Sequence, residues 1–271
     1  MTTLEVRNLV KDYRLRDGLR TSTLRAVNDV SFTLDHSRTV ALVGQSGSGK
    51  STIAKLLLQL EQPTSGEILL DGRPVARRGS GLAEYRRTVQ MVFQDPFASL
   101  NPFHSVGHHL ERPIRLHHPG MTDAEVHRRV LHLLERVRLT PAGNVAQRRP
   151  HELSGGQRQR VAIARALAPE PGVLIADEPV SMLDVSIRLG VLNLLATLQR
   201  EEDLGVLYIT HDLATARHFS DEILVMYKGE IVERGPADEV ILNPRHEYTK
   251  TLADAAPNPE RRLGELRGSP G

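Results

Sequence analysis

Two glycine-bearing loops in this 271-residue chain are each suited to hold phosphate, and one of them is surplus within a single chain. The first is Gly44-Gln45-Ser46-Gly47-Ser48-Gly49-Lys50-Ser51-Thr52. It follows the apolar run 39–43 and opens a helical pattern, which is the context a P-loop requires. Its glycines let backbone N–H groups turn toward phosphate oxygens, and the helix N-terminus adds a favourable dipole. Lys50 is placed to reach the β- and γ-phosphates and the Ser51 hydroxyl to ligate Mg²⁺. The second loop is Leu153-Ser154-Gly155-Gly156-Gln157, about a hundred residues on. Ser154 is a good N-cap, and the helix after it, running to about residue 167, aims a positive end outward that wants an anion. A P-loop already holds a triphosphate, so this second loop needs another role.

Further chemistry sits at strand ends. Leu174-Ile175-Ala176-Asp177-Glu178 is an apolar strand that delivers two adjacent carboxylates. Successive strand side chains diverge, so the two are expected to do different work. Gln94 ends the run 89–93, and His211 ends 207–210. Tyr13 lies between the first two strand patterns and reads either as a ring for stacking on a base or as a surface tyrosine.

The elements that position these groups follow from periodicity. Residues 4–10 and 27–34 read as strands, and 39–43 as a buried parallel strand. A helix from near Lys50 carries Ile53, Leu56, Leu57 and Leu60, and Pro63 and Gly66 close that unit. Strands are expected at 66–70, 89–93, 173–176, 206–209 and 223–226. Composition changes after Gln94: residues 95–152 hold most of the histidines and many prolines. An amphipathic helix at 124–138 carries Val126, Val130, Leu133, Leu134 and Val137 on one stripe, and this stretch reads as a helical insertion. A second striped helix is expected at 187–198. Helices alternating with strands predict a mainly parallel sheet covered on both faces.

Composition sets outer limits. Hydrophobic residues make up 39 % of the chain. No apolar run of about 18 residues is present, and the N-terminus lacks a secretion-signal pattern. The net charge is +2, with arginines in scattered pairs, which reads as a solvated surface and not a nucleic-acid face. The absence of cysteine excludes disulfides, thiolate metal sites and iron–sulfur clusters. His104, His108, His109, His117 and His118 are expected to be exposed loop histidines rather than a metal site.

The order P-loop, Gln94, LSGGQ, Asp177-Glu178 and His211 resembles the ATP-binding cassette (ABC) ATPases, from residue 4 to about 257. The resemblance implies an α/β fold with a P-loop NTPase (RecA-like) core and a mainly parallel sheet. It adds an N-terminal antiparallel β subdomain and an inserted α-helical subdomain. Residues 1–256 would form the ABC ATPase domain. Its core would span about 1–94 and 153–235, the helical subdomain 95–152, and a family-specific segment 236–256. A flexible tail would follow at 257–271. ATP and Mg²⁺ are the implied ligands. By resemblance Asp177 is the Walker B aspartate that holds Mg²⁺ through water, and Glu178 is the general base. Gln94 contacts Mg²⁺ and water, His211 contacts γ-phosphate, and Tyr13 stacks on adenine. Ser181-Met182-Leu183-Asp184 resembles the D-loop at the dimer interface, with Met182 where the family usually has alanine. In that family two chains meet head to tail, and Ser154, Gly155, Gly156 and Gln157 close over the partner's nucleotide.

Two stretches narrow the resemblance. Phe93-Gln94-Asp95-Pro96-Phe97-Ala98-Ser99-Leu100-Asn101-Pro102 and Asn243-Pro244-Arg245-His246-Glu247-Tyr248-Thr249-Lys250 are similar to segments of the oligopeptide/dipeptide permease ATPases. Glu247 replaces the usual proline, and the cluster-binding cysteines of many members are missing. The resemblance implies an ATP-hydrolysing subunit of a bacterial importer, peripheral on the cytoplasmic face of the inner membrane. Its partners would be a second ATPase chain, two transmembrane permease subunits and, indirectly, an extracellular solute-binding protein. A heterodimer of ATPases is expected, with a homodimer as the alternative. The solute is expected to be a di- or oligopeptide, with nickel, opines and oligosaccharides as alternatives. A non-transport ABC ATPase is the remaining alternative. Phe97, Leu100 and Phe103 are expected to contact the permeases or, alternatively, to pack in the core.

Overall fold

The computed structural model describes residues 2–18 and 20–255. The expected tail at 257–271 lies outside the described residues. The chain opens with two long antiparallel strands, β1 (Thr3–Asp17) and β2 (Arg20–Asp35), followed by β3 (Thr39–Val43) and α1 (Lys50–Leu57). Next come β4 (Ser65–Leu70), β5 (Arg73–Pro74), α2 (Gly79–Thr88) and β6 (Val89–Val92). A helical stretch follows: α3 (Pro96–Ser99), α4 (Val106–His117), α5 (Asp123–Arg136), α6 (Ala142–Gln147) and a 3₁₀ turn at Pro150–Glu152. The alternating pattern then returns with α7 (Gly155–Leu167), β7 (Val173–Asp177), α8 (Val185–Glu201), β8 (Gly205–Thr210) and α9 (Leu213–Phe219). It ends with β9 (Glu222–Tyr227), β10 (Glu230–Pro236), α10 (Ala237–Leu242) and α11 (Glu247–Ala255).

The strands form two sheets. One is antiparallel, in the order β2-β1-β4-β5; the other runs β10-β9-β3-β8-β7-β6. In the second sheet all pairings except β9 with β10 are parallel. Its strands are apolar at nearly every position because both faces are covered. Alternation still sorts the side chains by face. Ala41, Val43, Leu174, Ala176, Val206 and Tyr208 pack toward the helices. Their neighbours Val40, Leu42, Val173, Ile175, Leu207 and Ile209 pack toward the antiparallel sheet and α1. Each fully buried Val, Leu or Ile among them contributes about 1.5–3 kcal/mol relative to exposure.

The helical insertion is held by its own apolar stripe. Val126, Val130, Leu133 and Leu134 on α5 are buried, as the spacing predicts, and a capping box of Thr122 and Glu125 starts that helix. Several expectations need correction. Leu60 lies past the end of α1 and is exposed, because the helix stops at Leu57 and the chain turns at Gln59, whose φ is +53°. Leu100 is 2 % exposed and belongs to the core, whereas Phe97 and Phe103 are 48 % and 82 % exposed. His108, His109 and His117 sit on α4 and are half-buried, not in a loop. Ser105 caps that helix, and its apolar face of Val106, Leu110 and Ile114 was masked in the sequence by the histidines between. Among the described residues no group of three or more His, Asp or Glu is arranged to hold a metal ion. No helix of the described residues is long and apolar enough to cross a membrane.

Candidate functional site

Four neighbouring strands of the parallel sheet end on one edge, and each delivers a residue of the site. Gly44 follows β3, Gln94 follows β6, Asp177 and Glu178 stand at the end of β7, and His211 follows β8. Ligands of open α/β sheets bind outside the carboxyl ends of the strands, where loops are free to present backbone and side chains. A cleft of about 950 Å³ opens there. It is lined by Tyr13, by Gln45, Ser46, Gly47, Gly49, Lys50, Ser51 and Thr52, and by Gln94, Glu178 and His211.

The loop that starts α1 is tightly constrained. A side chain at Gly44 would place its first carbon 2.3 Å from the Met226 carbonyl oxygen, and one at Gly49 would stand 2.4 Å from that of Ala26. Gly49 also has φ near +111°, so only glycine fits both the space and the backbone. As N-cap of α1, Gly49 brings no side-chain cap, which leaves the first-turn N–H groups for an anion. Lys50 is buried and donates from Nζ to the Gly44 oxygen at 2.6 Å and the Gln45 oxygen at 2.9 Å. Burial lowers its ammonium pKa, against the pull of Glu178 and Asp177. The Ser48 hydroxyl is buried without a hydrogen-bond partner among the described residues.

Glu178 is held from two sides. Gln94 Nε2 donates to Glu178 Oε2 at 3.0 Å, and His211 Nδ1 lies 3.0 Å from Glu178 Oε1. Its backbone has φ +43°, pinned by its N–H donating to the Ile209 oxygen at 2.8 Å and by Ser181 N–H donating to its own carbonyl at 3.1 Å. Asp177 lines the adjoining cleft with Gln94. Burial, then repulsion from Glu178, raises its carboxyl to about 6 despite the pull of Lys50. A divalent cation would relieve both effects, and the hydroxyl of Ser51, the amide of Gln94 and this carboxylate are hard oxygen donors suited to Mg²⁺. Tyr13 lies on the cleft wall, its hydroxyl donating to Glu61 Oε2 at 2.5 Å and its ring 5.0 Å from Lys11 Nζ.

Ser154 caps α7 as expected. Its hydroxyl accepts from Gln157 N–H at 3.3 Å, and Gln157 Oε1 accepts from Ser154 N–H at 3.0 Å. Ser154, Gly155, Gly156, Gln157 and Asp184 do not line the P-loop cleft of their own chain. Gly156 lies against Ile187, at the start of α8, so the Ser154–Gln157 loop and the segment after Asp184 are packed together. Phe97 joins them to the residues after Gln94, with the Arg158 guanidinium 4.3 Å above its ring. Sequence reasoning missed two site neighbours. Lys228 lines the cleft from the β9–β10 turn, and the Tyr248 hydroxyl accepts from Gln45 N–H at 2.9 Å. Nothing in their local sequence points to the P-loop, because both arrive through long-range pairing.

The fold and the loop define a nucleotide-binding cassette of the P-loop class. Residues 27–181 match the ABC transporter family, and residues 232–271 match the C-terminal region of oligopeptide/dipeptide transporters. The chain belongs to the ABC transporter family of ATP-binding proteins. It is 46 % identical over 259 residues to the oligopeptide transport ATP-binding protein OppF of Bacillus subtilis, covering 95 % of this chain and 83 % of that one. It is 48 % identical over 258 residues to the glutathione import ATP-binding protein GsiA of Salmonella typhimurium. That match covers 94 % of this chain but only 41 % of the relative, so the chain spans about two fifths of that protein's length. The dimeric ATP-binding cassette MJ0796, in a post-hydrolysis state with ADP and Pi, superposes with a TM-score of 0.75 at 31 % identity. That likeness covers 86 % of this chain and 98 % of the other.

Proposed function

We propose that the chain is the ATP-hydrolysing subunit of a peptide importer and that it works as one of two cassettes. Two features support the solute class. The C-terminal region matches that of oligopeptide/dipeptide transporters, and the relatives are named for import of oligopeptides and of glutathione, itself a small peptide. The observation that carries the two-cassette reading is the separation of the Ser154–Gln157 loop from the P-loop cleft of its own chain. Ser154 at the start of α7 is exposed, and the positive end of that helix suits a phosphate supplied by a second chain. The MJ0796 dimer supports that arrangement.

In this reading the P-loop amides and Lys50 bind the triphosphate, and Tyr13 supports the base. Ser51, Gln94 and Asp177 would hold Mg²⁺, which would supply positive charge against the triphosphate. Glu178 takes the proton of the attacking water, oriented by Gln94 and His211 through its two oxygens. Residues 95–152 form a helical unit that docks two permease subunits on the cytoplasmic face of the membrane, and residues 236–256 are the family-specific C-terminal segment of the same ATPase domain. The second cassette is a different chain, since the peptide-permease group commonly pairs unlike ATPases.

Replacing Ser154 and Gly155 tests the reading. ATP binding to the isolated chain should persist, and turnover in the assembled transporter should be lost. A monomer that hydrolyses ATP at the full rate would sink it.

A further inference from the structure

The Gly44–Gln45 peptide is engaged at both ends. Its carbonyl oxygen receives the Lys50 ammonium at 2.6 Å, and its N–H donates to the Tyr248 hydroxyl at 2.9 Å. Polarised in the same sense, the two bonds strengthen one another through the peptide dipole. Tyr248 is itself fixed. Its ring stacks on Tyr227 at the end of β9, with centroids 4.2 Å apart. Its N–H donates to His246 Nδ1 at 3.1 Å. The turn before it is tied to β10, because Glu233 accepts from Arg245 N–H at 2.8 Å and from His246 N–H at 3.0 Å. Leu252 of α11 is buried in the main core.

We infer that Tyr248 is a positioning residue of the phosphate site: its hydroxyl sets the Gly44–Gln45 peptide that orients Lys50. The C-terminal segment is thereby part of the phosphate-binding machinery. This rests on the reading of residues 44–52 as the nucleotide site. The loop is glycine-rich, and ordering it costs binding energy that a preset peptide saves. The contact lies 203 residues apart in sequence, so it forms only when the last helix docks beside β9 and β10.

The test is the affinity of the full chain for a fluorescent ribose-labelled ATP analogue, in Tyr248→Phe, Lys50→Met and the double variant. Phenylalanine keeps the stack on Tyr227 and removes only the hydroxyl. Tyr248→Phe is expected to weaken binding about fivefold, with an unchanged melting temperature. In the Lys50→Met background the same change is expected to cost less than about twofold, since the coupled partner is gone. Equal losses in both backgrounds would make the tyrosine a general support and overturn the inference, as would no loss at all. A Tyr248→Phe chain that does not fold would also overturn it, placing the hydroxyl in the fold and not in the site. Undiminished binding by Lys50→Met would instead overturn the nucleotide-site reading on which the inference rests.

Discussion

Glu178 concentrates the chemistry of the site in one side chain. Its two oxygens meet Gln94 and His211, each at 3.0 Å, and its backbone is locked in a left-handed conformation by Ile209 and Ser181. Such a carboxylate has little freedom left, which suits a base that must meet one water. Glutamine at 178 keeps the shape and loses the basicity, so Glu178→Gln should cut ATP turnover at least about a hundredfold. ATP should still bind, and unhydrolysed ATP should trap a closed pair of cassettes. Single-turnover rates and gel filtration with ATP measure both. A variant that keeps half its activity would show that the base lies elsewhere.

Elements turn these residues into a coupled device. α3 is a single turn, capped by Asp95 directly after Gln94, and it presents Phe97 half-exposed under Arg158 of α7. In the proposed reading the exposed Phe97 belongs to the surface that meets the permeases. Phe97→Asp should therefore leave the melting temperature nearly unchanged and uncouple peptide uptake from basal ATP hydrolysis in reconstituted vesicles. A large drop in melting temperature would assign Phe97 to the core instead. At the other end, β10 anchors the C-terminal helix through Glu233. Burial alone would raise that carboxyl, but hydrogen bonds including those from Arg245 and His246 N–H bring it below its ordinary value of 4.5. A lowered carboxyl stabilises the fold above its unfolded value and loses that contribution as pH falls through the lower, folded one. Amide hydrogen exchange across residues 245–252 should thus accelerate, relative to the rest of the chain, as pH drops below about 4.5. In Glu233→Gln the exchange should be faster at neutral pH and lack that acid step. Identical profiles in the two proteins would remove Glu233 from the anchor.

At the scale of the whole molecule, the chain has a complete P-loop cleft and a Ser154–Gln157 loop that does not face it. Turnover by this chain should accordingly rise with the concentration of assembled pairs, not with that of single chains. Mixing it with its co-expressed partner should raise the specific rate until the two are equimolar. Co-purification from native membranes followed by mass spectrometry should find a second, unlike ATPase beside two permease subunits. Two copies of this chain, with no second ATPase, would refute the heterodimer.

Much of this was legible in the sequence because the chemistry is local. Gly44 to Thr52, Asp177-Glu178 and Leu153 to Gln157 each act through spacing within a few residues, and the continuous apolar runs 39–43 and 173–176 suit buried parallel strands. The N-cap at Ser154 likewise reaches only three residues along the chain, to Gln157. Tertiary structure decided what depends on distant neighbours. Leu60 continued a helical stripe, yet the helix ends before it; Leu100 read either as a permease contact or as core, and the fold places it in the core. The histidines hid the apolar face of α4, since their own burial depends on what packs above them. That Gln94 and His211 meet at the Glu178 carboxylate followed from the order of strands β8, β7 and β6, which no local pattern encodes. Tyr248 reached Gln45 for the same reason: strand pairing brings together residues the sequence keeps apart, and only the folded sheet fixes which ones meet.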